Sequence, residues 1–307
     1  MVKRSPIQCG LLTLKGIAMG AADVVPGVSG GTIAFISGIY EELIDSINNI
    51  NLAALKVWKA EGFKDFWNYI NGTFFVFLFT GIGISIFSLA KVVSHLLGAH
   101  PVLIWSFFFG LIIASVWLIS KSIEKWSLGI IGIMGVGALV AYYISSINAV
   151  APVDASWYIV LSGAIAICAM ILPGVSGAFI LLLLGSYDEV FRAISEKNLL
   201  VIGLFGLGCL IGLLSFARVL KYLFSKFKNL TVALLAGFMV GSLSKVWPWK
   251  ETKNTRVNSH GEVVPFIQDN VLPGNFSGDS LFMYAALLAC TGFLLIFVLE
   301  KFAPKEA

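Results

Sequence analysis

The sequence predicts an all-α polytopic membrane protein of two inverted repeats, each a re-entrant broken helical hairpin followed by three transmembrane helices. Three observations carry this: a very apolar composition, six long apolar runs, and a Pro-Gly-Val-Ser-Gly pentapeptide at residues 26 to 30 and again at 173 to 177. Of the 307 residues, 58% are apolar and 12% charged, with a mean hydropathy of +0.91. Soluble globular domains carry about 25% charged residues, so lipid is the main solvent here. The net charge of +4 matters through its sidedness. No basic, aromatic surface points to nucleic acid.

The apolar runs at 73–97, 101–120, 127–147, 199–224, 230–247 and 280–302 are each long enough to cross roughly 30 Å of hydrocarbon. Cys9, Cys168, Cys209 and Cys290 are scattered, without a C-x-x-C pair or Cys/His cluster, and read as small packing residues. No metal or cofactor motif is present. The first apolar run is interrupted by Lys15 and Asp23 and lacks a small-residue cleavage site, so a removed leader is not expected.

A shift of 147 lays Gly16, Pro26, Gly27, Val28, Ser29, Gly30, Gly38, Tyr40 and Glu42 on Gly163, Pro173, Gly174, Val175, Ser176, Gly177, Gly185, Tyr187 and Glu189. A second block at a shift of 127 lays Gly81, Lys91 and Gly110 on Gly208, Arg218 and Gly237. The first repeat is therefore 1–147, with its re-entrant stretch at 11–44, and the second is 157–307, with its re-entrant stretch at 157–190. The extra length of the first half falls at 45–72, where Trp58, Phe63, Phe66, Trp67 and Tyr69 beside Lys56, Lys59 and Lys64 suggest an interfacial amphipathic helix.

A broken segment that crosses once makes the halves parallel; one that enters and returns makes them inverted. With the N-terminus inside, inversion puts 14 of the 21 Lys and Arg residues on the cytoplasmic side, whereas parallel halves put 10 there. The positive-inside rule thus favours inversion, with both termini cytoplasmic. The stretches flanking the first break are mostly too short for a full crossing, as half-helices would be.

Pro26 lacks an amide donor and discourages helix at Val25, while Gly27, Gly30 and Gly31 permit angles that other residues avoid. A helix should stop there and restart, with Ser29, Gly30 or Thr32 capping the new helix and Ser176 or Gly177 doing so in the second half. Free amides at membrane depth are tolerated only in protein or a hydrated cavity, and at a helix start they suit an anion. The plainer reading of one such motif is a packed kink. Its duplication favours a substrate site made of Pro26, Gly27, Ser29, Gly30, Gly31 and Thr32 with Pro173, Gly174, Ser176 and Gly177.

Through GAADVVPGVSGGTIAFISGIYEEL and ILPGVSGAFILLLLGSYDEVF, the chain resembles the bacterial polyprenyl-phosphate transporters of the PopT type, formerly a domain of unknown function. The resemblance covers nearly the whole chain. It implies a carrier that returns undecaprenyl phosphate from the outer to the inner leaflet of the cytoplasmic membrane for cell-envelope synthesis. The second copy departs from the first, with Met170 where Asp23 stands and Ala178 where Gly31 stands. Such a lipid also needs a side opening for its tail, which Gly81, Gly83, Gly110, Gly206, Gly208 and Gly212 would shape unless they serve close helix packing.

Asp23 is an acid at membrane depth, a functional signal by default, and a candidate for proton coupling or for a counter-charge to Lys15, against the plainer reading of an N-terminal structural cap. Lys91 and Arg218 are candidate phosphate contacts at opposite gates, against the plainer reading of snorkelling. Glu42 and Glu189 are weaker coupling candidates, fitting equally well in interfacial ion pairs with Glu41, Asp188 and Arg192 nearby. His95 and His100 read as a solvated turn. The segment 248–279 reads as an extracytoplasmic lid or connection.

Two other activities use similar parts. A polyprenyl-pyrophosphate phosphatase of one family carries P-G-x-S-R-S-x-x-T, but here Gly30 and Gly177 occupy the Arg position, and no E-x-x-x-E pair or intramembrane His is present. A small-anion channel or secondary carrier would draw on the same helix ends. Oligomeric state is not legible.

Overall fold

The computed structural model describes residues 4–25, 28–147, 153, 155–257 and 263–302. Ser5 opens α1 (Pro6–Asp23) with a capping box: its hydroxyl accepts the Gln8 amide while the Gln8 side chain accepts the Ser5 amide. Pro6 fits at the first position because no partner is needed for its missing N–H. The chain restarts as α2 (Gly30–Ile36), turns through Gly38, and continues as α3 (Tyr40–Asn48).

In place of one interfacial helix, two short ones follow, α4 (Leu52–Glu61) and α5 (Phe63–Tyr69). Gly62 joins them at φ 91°, a left-handed angle that interrupts any continuous helix. Trp58, Phe63, Phe66 and Trp67 pack ring against ring across the joint. Three long helices complete the first half: α6 (Gly72–Ala99), α7 (Pro101–Lys121) and α8 (Leu128–Ser146).

The second half repeats the order with α9 (Ser156–Ile171), α10 (Gly177–Leu183), α11 (Tyr187–Ser195), α12 (Leu199–Ser242) and α13 (Phe282–Phe302). Gly72–Leu89, α7, α8 and α12 are long and apolar enough to cross a membrane, and α9 and Phe282–Val298 are shorter apolar helices. α12 bends at Phe227 (φ −137°, ψ 44°), in the gap between the apolar runs 199–224 and 230–247.

The membrane part is all-α, but the expectation for the whole chain needs one correction. Within 248–279 the chain forms an antiparallel hairpin of β1 (Lys250–Val257) and β2 (Val263–Asn270), with Lys250 opposite Asn270. Its first strand, KETKNTRV, is polar almost throughout, so it lacks the two-residue hydrophobic alternation by which strands are read.

Arg4 pairs with Glu42 and hydrogen-bonds Asn71 at 3.4 Å. Lys221 meets Asp45 at 2.9 Å and Lys228 meets Glu41 at 3.1 Å. The start of α1, the helix α3, the start of α6 and the bend of α12 therefore gather at one end of the molecule. At the other end, Trp249 packs with Val102 and Ala285, and Lys245 Nζ lies 3.5 Å from the Ser145 carbonyl oxygen. In the second half the Tyr158 hydroxyl donates to the Leu184 carbonyl at 2.8 Å, and the Ser162 and Ser186 hydroxyls are 2.8 Å apart. The start of α9 thus lies against the end of α10.

Small residues set the helix spacing. A Cβ on Gly16 or Gly81 would strike the facing backbone of α6 or α1, and one on Gly163 or Gly208 that of α12 or α9. Gly110 and Gly292 join α7 to α13 in the same way, as Gly137 and Gly237 join α8 to α12. Gly81, Gly110, Gly208 and Gly212 consequently serve helix contact and do not shape an opening. Gly83 and Gly206 face open space, and Gly206 lines an apolar groove of about 630 Å³ with Ile167, Gly203, Leu207 and Leu213.

Overpacking such contacts costs about 1–3 kcal/mol. Gly110→Leu and Gly237→Leu should therefore lower the melting temperature of the detergent-solubilised protein by several degrees, while Gly83→Leu leaves it unchanged.

Candidate functional site

An amide released by a broken helix has no water to turn to inside hydrocarbon, so its partner must come from the protein. At the first break the protein supplies acceptors for the first three amides of α2. Pro26 and Gly27 lie outside the described residues, but Val25, Val28, Ser29, Gly30, Gly31 and Thr32 are all buried. The Gly30 amide donates to Asp23 Oδ1 at 2.7 Å, the Gly31 amide to Ser29 Oγ at 3.0 Å, and the Thr32 amide to the Ser29 carbonyl at 2.9 Å. These amides were expected to be free for an anion; instead the Asp23 carboxylate already occupies the place an anion would take.

The second break lies directly against the first. Ser29 Oγ donates to the Met170 carbonyl at 2.9 Å, and the Gly174 amide donates to Thr32 Oγ1 at 3.0 Å. A Cβ on Gly31 would collide with the Ile171 carbonyl oxygen. Gly174 has φ 81°, and a Cβ there would lie 2.9 Å from the Met239 Cα, so both its angle and its surroundings require glycine. Pro173 and Gly177 are buried beside it. Ser176 caps α10 by accepting the Phe179 amide at 3.4 Å. Among the described residues, the amides of Gly177 and Ala178 have no acceptor.

The charged candidates are distributed differently. Lys91 and Arg218 are exposed and make no hydrogen bond or ion pair among the described residues, so the structure does not bring them to the breaks. Exposed cations on membrane helices suit the snorkelling reading. Glu42 is held by Arg4 and by Asn71 Nδ2, the latter at 2.8 Å, which ties the start of the chain to α6. Glu189 sits in the first turn of α11.

Sequence reasoning passed over Lys245. It lines a narrow cleft at the second break with Ala141, Ile144, Ser145, Gly174, Val175, Ser176 and Phe179. Its ammonium lies 4.1 Å from the Phe179 ring centroid. Lys250 follows closely, donating to the Lys245 carbonyl and sitting 3.6 Å over the Trp105 ring. Burial, with Lys245 beside it, pushes the Lys250 ammonium down to about 7. The repeat gave no warning of Lys245, because the shift of 127 pairs it with Leu118.

Residues 19–264 match the model of the VCA0040-like family, described as undecaprenyl phosphate translocase-like. The chain belongs to this family. A polyprenyl-phosphate transporter of Vibrio cholerae serotype O1 is 49% identical over 296 residues, covering 95% of this chain and 96% of its own length. A polyprenyl-phosphate transporter of Staphylococcus aureus is 34% identical over 253 residues, or 76% of this chain and 85% of its own length. No solved structure matches. The family match takes in both breaks, Lys245 and Lys250.

Ser29→Ala removes two hydrogen bonds at the meeting of the breaks and leaves a buried amide without its acceptor, worth about 1–3 kcal/mol. Its melting temperature should fall, with Ser29→Thr losing less. For Lys250 the folded pKa is below the unfolded one, so the unfolded chain binds more protons between about pH 7 and 10.5, and stability rises with pH across that window. Thermal melts of Lys250→Met should show the variant at its greatest relative advantage near pH 7 or below, shrinking towards pH 10.

Proposed function

We propose that the chain is a membrane transporter that carries undecaprenyl phosphate from the outer to the inner leaflet of the bacterial cytoplasmic membrane, returning the carrier lipid for envelope synthesis. The observation that carries this reading is the direct contact between the two broken segments, through Ser29 with Met170 and Thr32 with Gly174. Non-helical backbone at membrane depth belongs where it lines a site, and transporters place such sites where repeats meet. The relatives named polyprenyl-phosphate transporters support a lipid phosphate as the cargo.

Inverted halves with re-entrant breaks are part of this proposal. Arg4 reaches both Glu42 and Asn71, which supports a first broken stretch that enters and returns on one side. A single crossing would separate them by the membrane. The positive-inside rule then puts this end, with both termini, in the cytoplasm, and the β-hairpin outside. Asp23 is the favoured coupling residue, since Glu42 is already held by Arg4. Hydrolysis of a pyrophosphate is disfavoured: Gly30 and Gly177 stand where the phosphatase motif has Arg, and His95 and His100 are exposed at the turn between α6 and α7.

Proteoliposomes containing the purified chain should move fluorescent undecaprenyl phosphate between leaflets, and Gly31→Leu, which drives the breaks apart, should reduce the rate to that of empty liposomes. Release of inorganic phosphate from undecaprenyl pyrophosphate, or anion flux with no lipid movement, would count against a lipid carrier. Topology is tested separately in a background lacking the four native cysteines. Cysteine at position 56 and cysteine at position 197 should react from opposite sides of the membrane; labelling from one side would mean parallel halves.

A further inference from the structure

Among the described residues, three cations at the cytoplasmic end have acidic partners: Arg4 has Glu42, Lys221 has Asp45 and Lys228 has Glu41. Lys245 and Lys250 do not. Their neighbours are the Ser145 and Lys245 carbonyl oxygens and the rings of Phe179 and Trp105. Of the described acids, the two closest in sequence are engaged elsewhere, Glu251 with the Ser277 amide at 3.2 Å and Asp269 with Lys253 at 3.7 Å. Two ammonium groups withdrawn from water beside only neutral partners are costly to hold, and an anion would remove that cost.

Their location narrows what the anion is. Lys245 lines the cleft formed by α8, the second break and the end of α12. Ser176 shares the cleft and is only 6% exposed; its oxygen accepts the Phe179 amide, and its hydroxyl proton has no acceptor among the described residues. One break away, Asp23 takes the corresponding position at Gly30 and would repel an anion. The second half has Met170 there, so the two breaks differ in charge although they share a motif. About 10 Å³ of the cleft is free, room for roughly one water, so a phosphate enters only as Lys245 swings off the Phe179 ring.

We infer that this cleft is the outward-facing docking site for the phosphate monoester headgroup of the lipid, with Lys245 in direct contact, the Ser176 hydroxyl donating to a phosphate oxygen, and Lys250 as the second positive charge behind it. This rests on the lipid-phosphate reading above. It assigns the headgroup to the second break, whereas the sequence divided it between both breaks and Lys91 and Arg218. Because Ser145 is near the end of α8 and Lys250 opens the hairpin, the cleft lies at the hairpin end, extracytoplasmic in the proposed orientation.

The test titrates geranyl phosphate, a short-chain probe, into the purified full chain and follows tryptophan emission, with inorganic phosphate and geraniol in parallel arms. Lys245→Gln should weaken geranyl phosphate binding at least about tenfold, as loss of a charge-assisted contact implies, with Lys245→Arg close to wild type. Lys250→Gln should weaken it less, and none of the three variants should melt below wild type. In proteoliposomes, Lys245→Gln should slow undecaprenyl phosphate movement correspondingly. Equal binding and movement by Lys245→Gln and wild type would overturn the assignment while leaving the lipid-carrier reading intact. A wild-type chain that moves no lipid would defeat that reading itself. Binding of inorganic phosphate as tight as that of geranyl phosphate would mean a soluble anion as ligand and would also overturn the proposal. If Lys245→Gln melts well below wild type, Lys245→Arg and Lys250→Gln decide: full binding by Lys250→Gln together with loss in Lys245→Arg would mark Lys245 as a helix-end cap and sink the idea.

Discussion

The absence of water inside hydrocarbon is the constraint from which most of this architecture follows. Interrupting a helix there releases amides and carbonyls whose desolvation costs several kcal/mol each unless partners are found. The protein meets this at the first break with Asp23, Ser29 and Thr32, and it uses the same side chains to bind the second break. The Met170 carbonyl, freed where α9 ends, is satisfied by Ser29, and the Gly174 amide by Thr32. Neither break is complete without the other. That dependence fixes the relative position of the halves far more tightly than lipid-facing helix contacts could, since apolar side chains gain little by leaving lipid for one another.

Close packing does the remainder of the work, and it follows the repeat. Gly16 against α6 and Gly163 against α12 are equivalent contacts, as are Gly110 against α13 and Gly237 against α8. The last two cross between halves: a helix of each repeat takes its partner from the other. Such exchange makes the halves one body around the breaks, with charge at one end holding α1, α3, α6 and the bend of α12 together. Surface ion pairs contribute little each, so their role is to fix which ends meet.

Legibility in the sequence tracked the physical strength of each signal. The apolar runs and the duplicated pentapeptide were readable because hydrocarbon thickness and proline geometry act locally and admit few alternatives. The bend at Phe227 was readable as a gap between runs, since Lys226 and Lys228 cannot remain in lipid. The hairpin at Lys250–Asn270 was not, because KETKNTRV is polar on both faces and VVPFI is an unbroken apolar run, so neither strand alternates. The site was half legible. Ser29, Gly31, Thr32 and Gly174 were found by motif, and the capture of the Gly30 amide by Asp23 fits the plainer reading of that acid as a structural cap. Lys91 and Arg218 were singled out because the repeat paired them, and both are exposed. Lys245 was overlooked because nothing in the repeat matches it.

That last failure points to a general feature of duplicated carriers. A repeat supplies two equivalent scaffolds, but the cargo needs a place to bind and then a place to leave, so equal affinity at both ends would serve movement poorly. Divergence should therefore concentrate where chemistry differs, against a background of matching glycines and caps. The pair Asp23 and Met170 shows this at one point of the repeat, and Lys245 opposite Leu118 shows it at another. At the first break a carboxylate takes the Gly30 amide, while at the second, among the described residues, the amides of Gly177 and Ala178 have no acceptor and Lys245 has no acidic partner. On the lipid-phosphate reading, an anion would meet opposite electrostatics at two breaks that share a motif, and that difference in charge would bias where it docks.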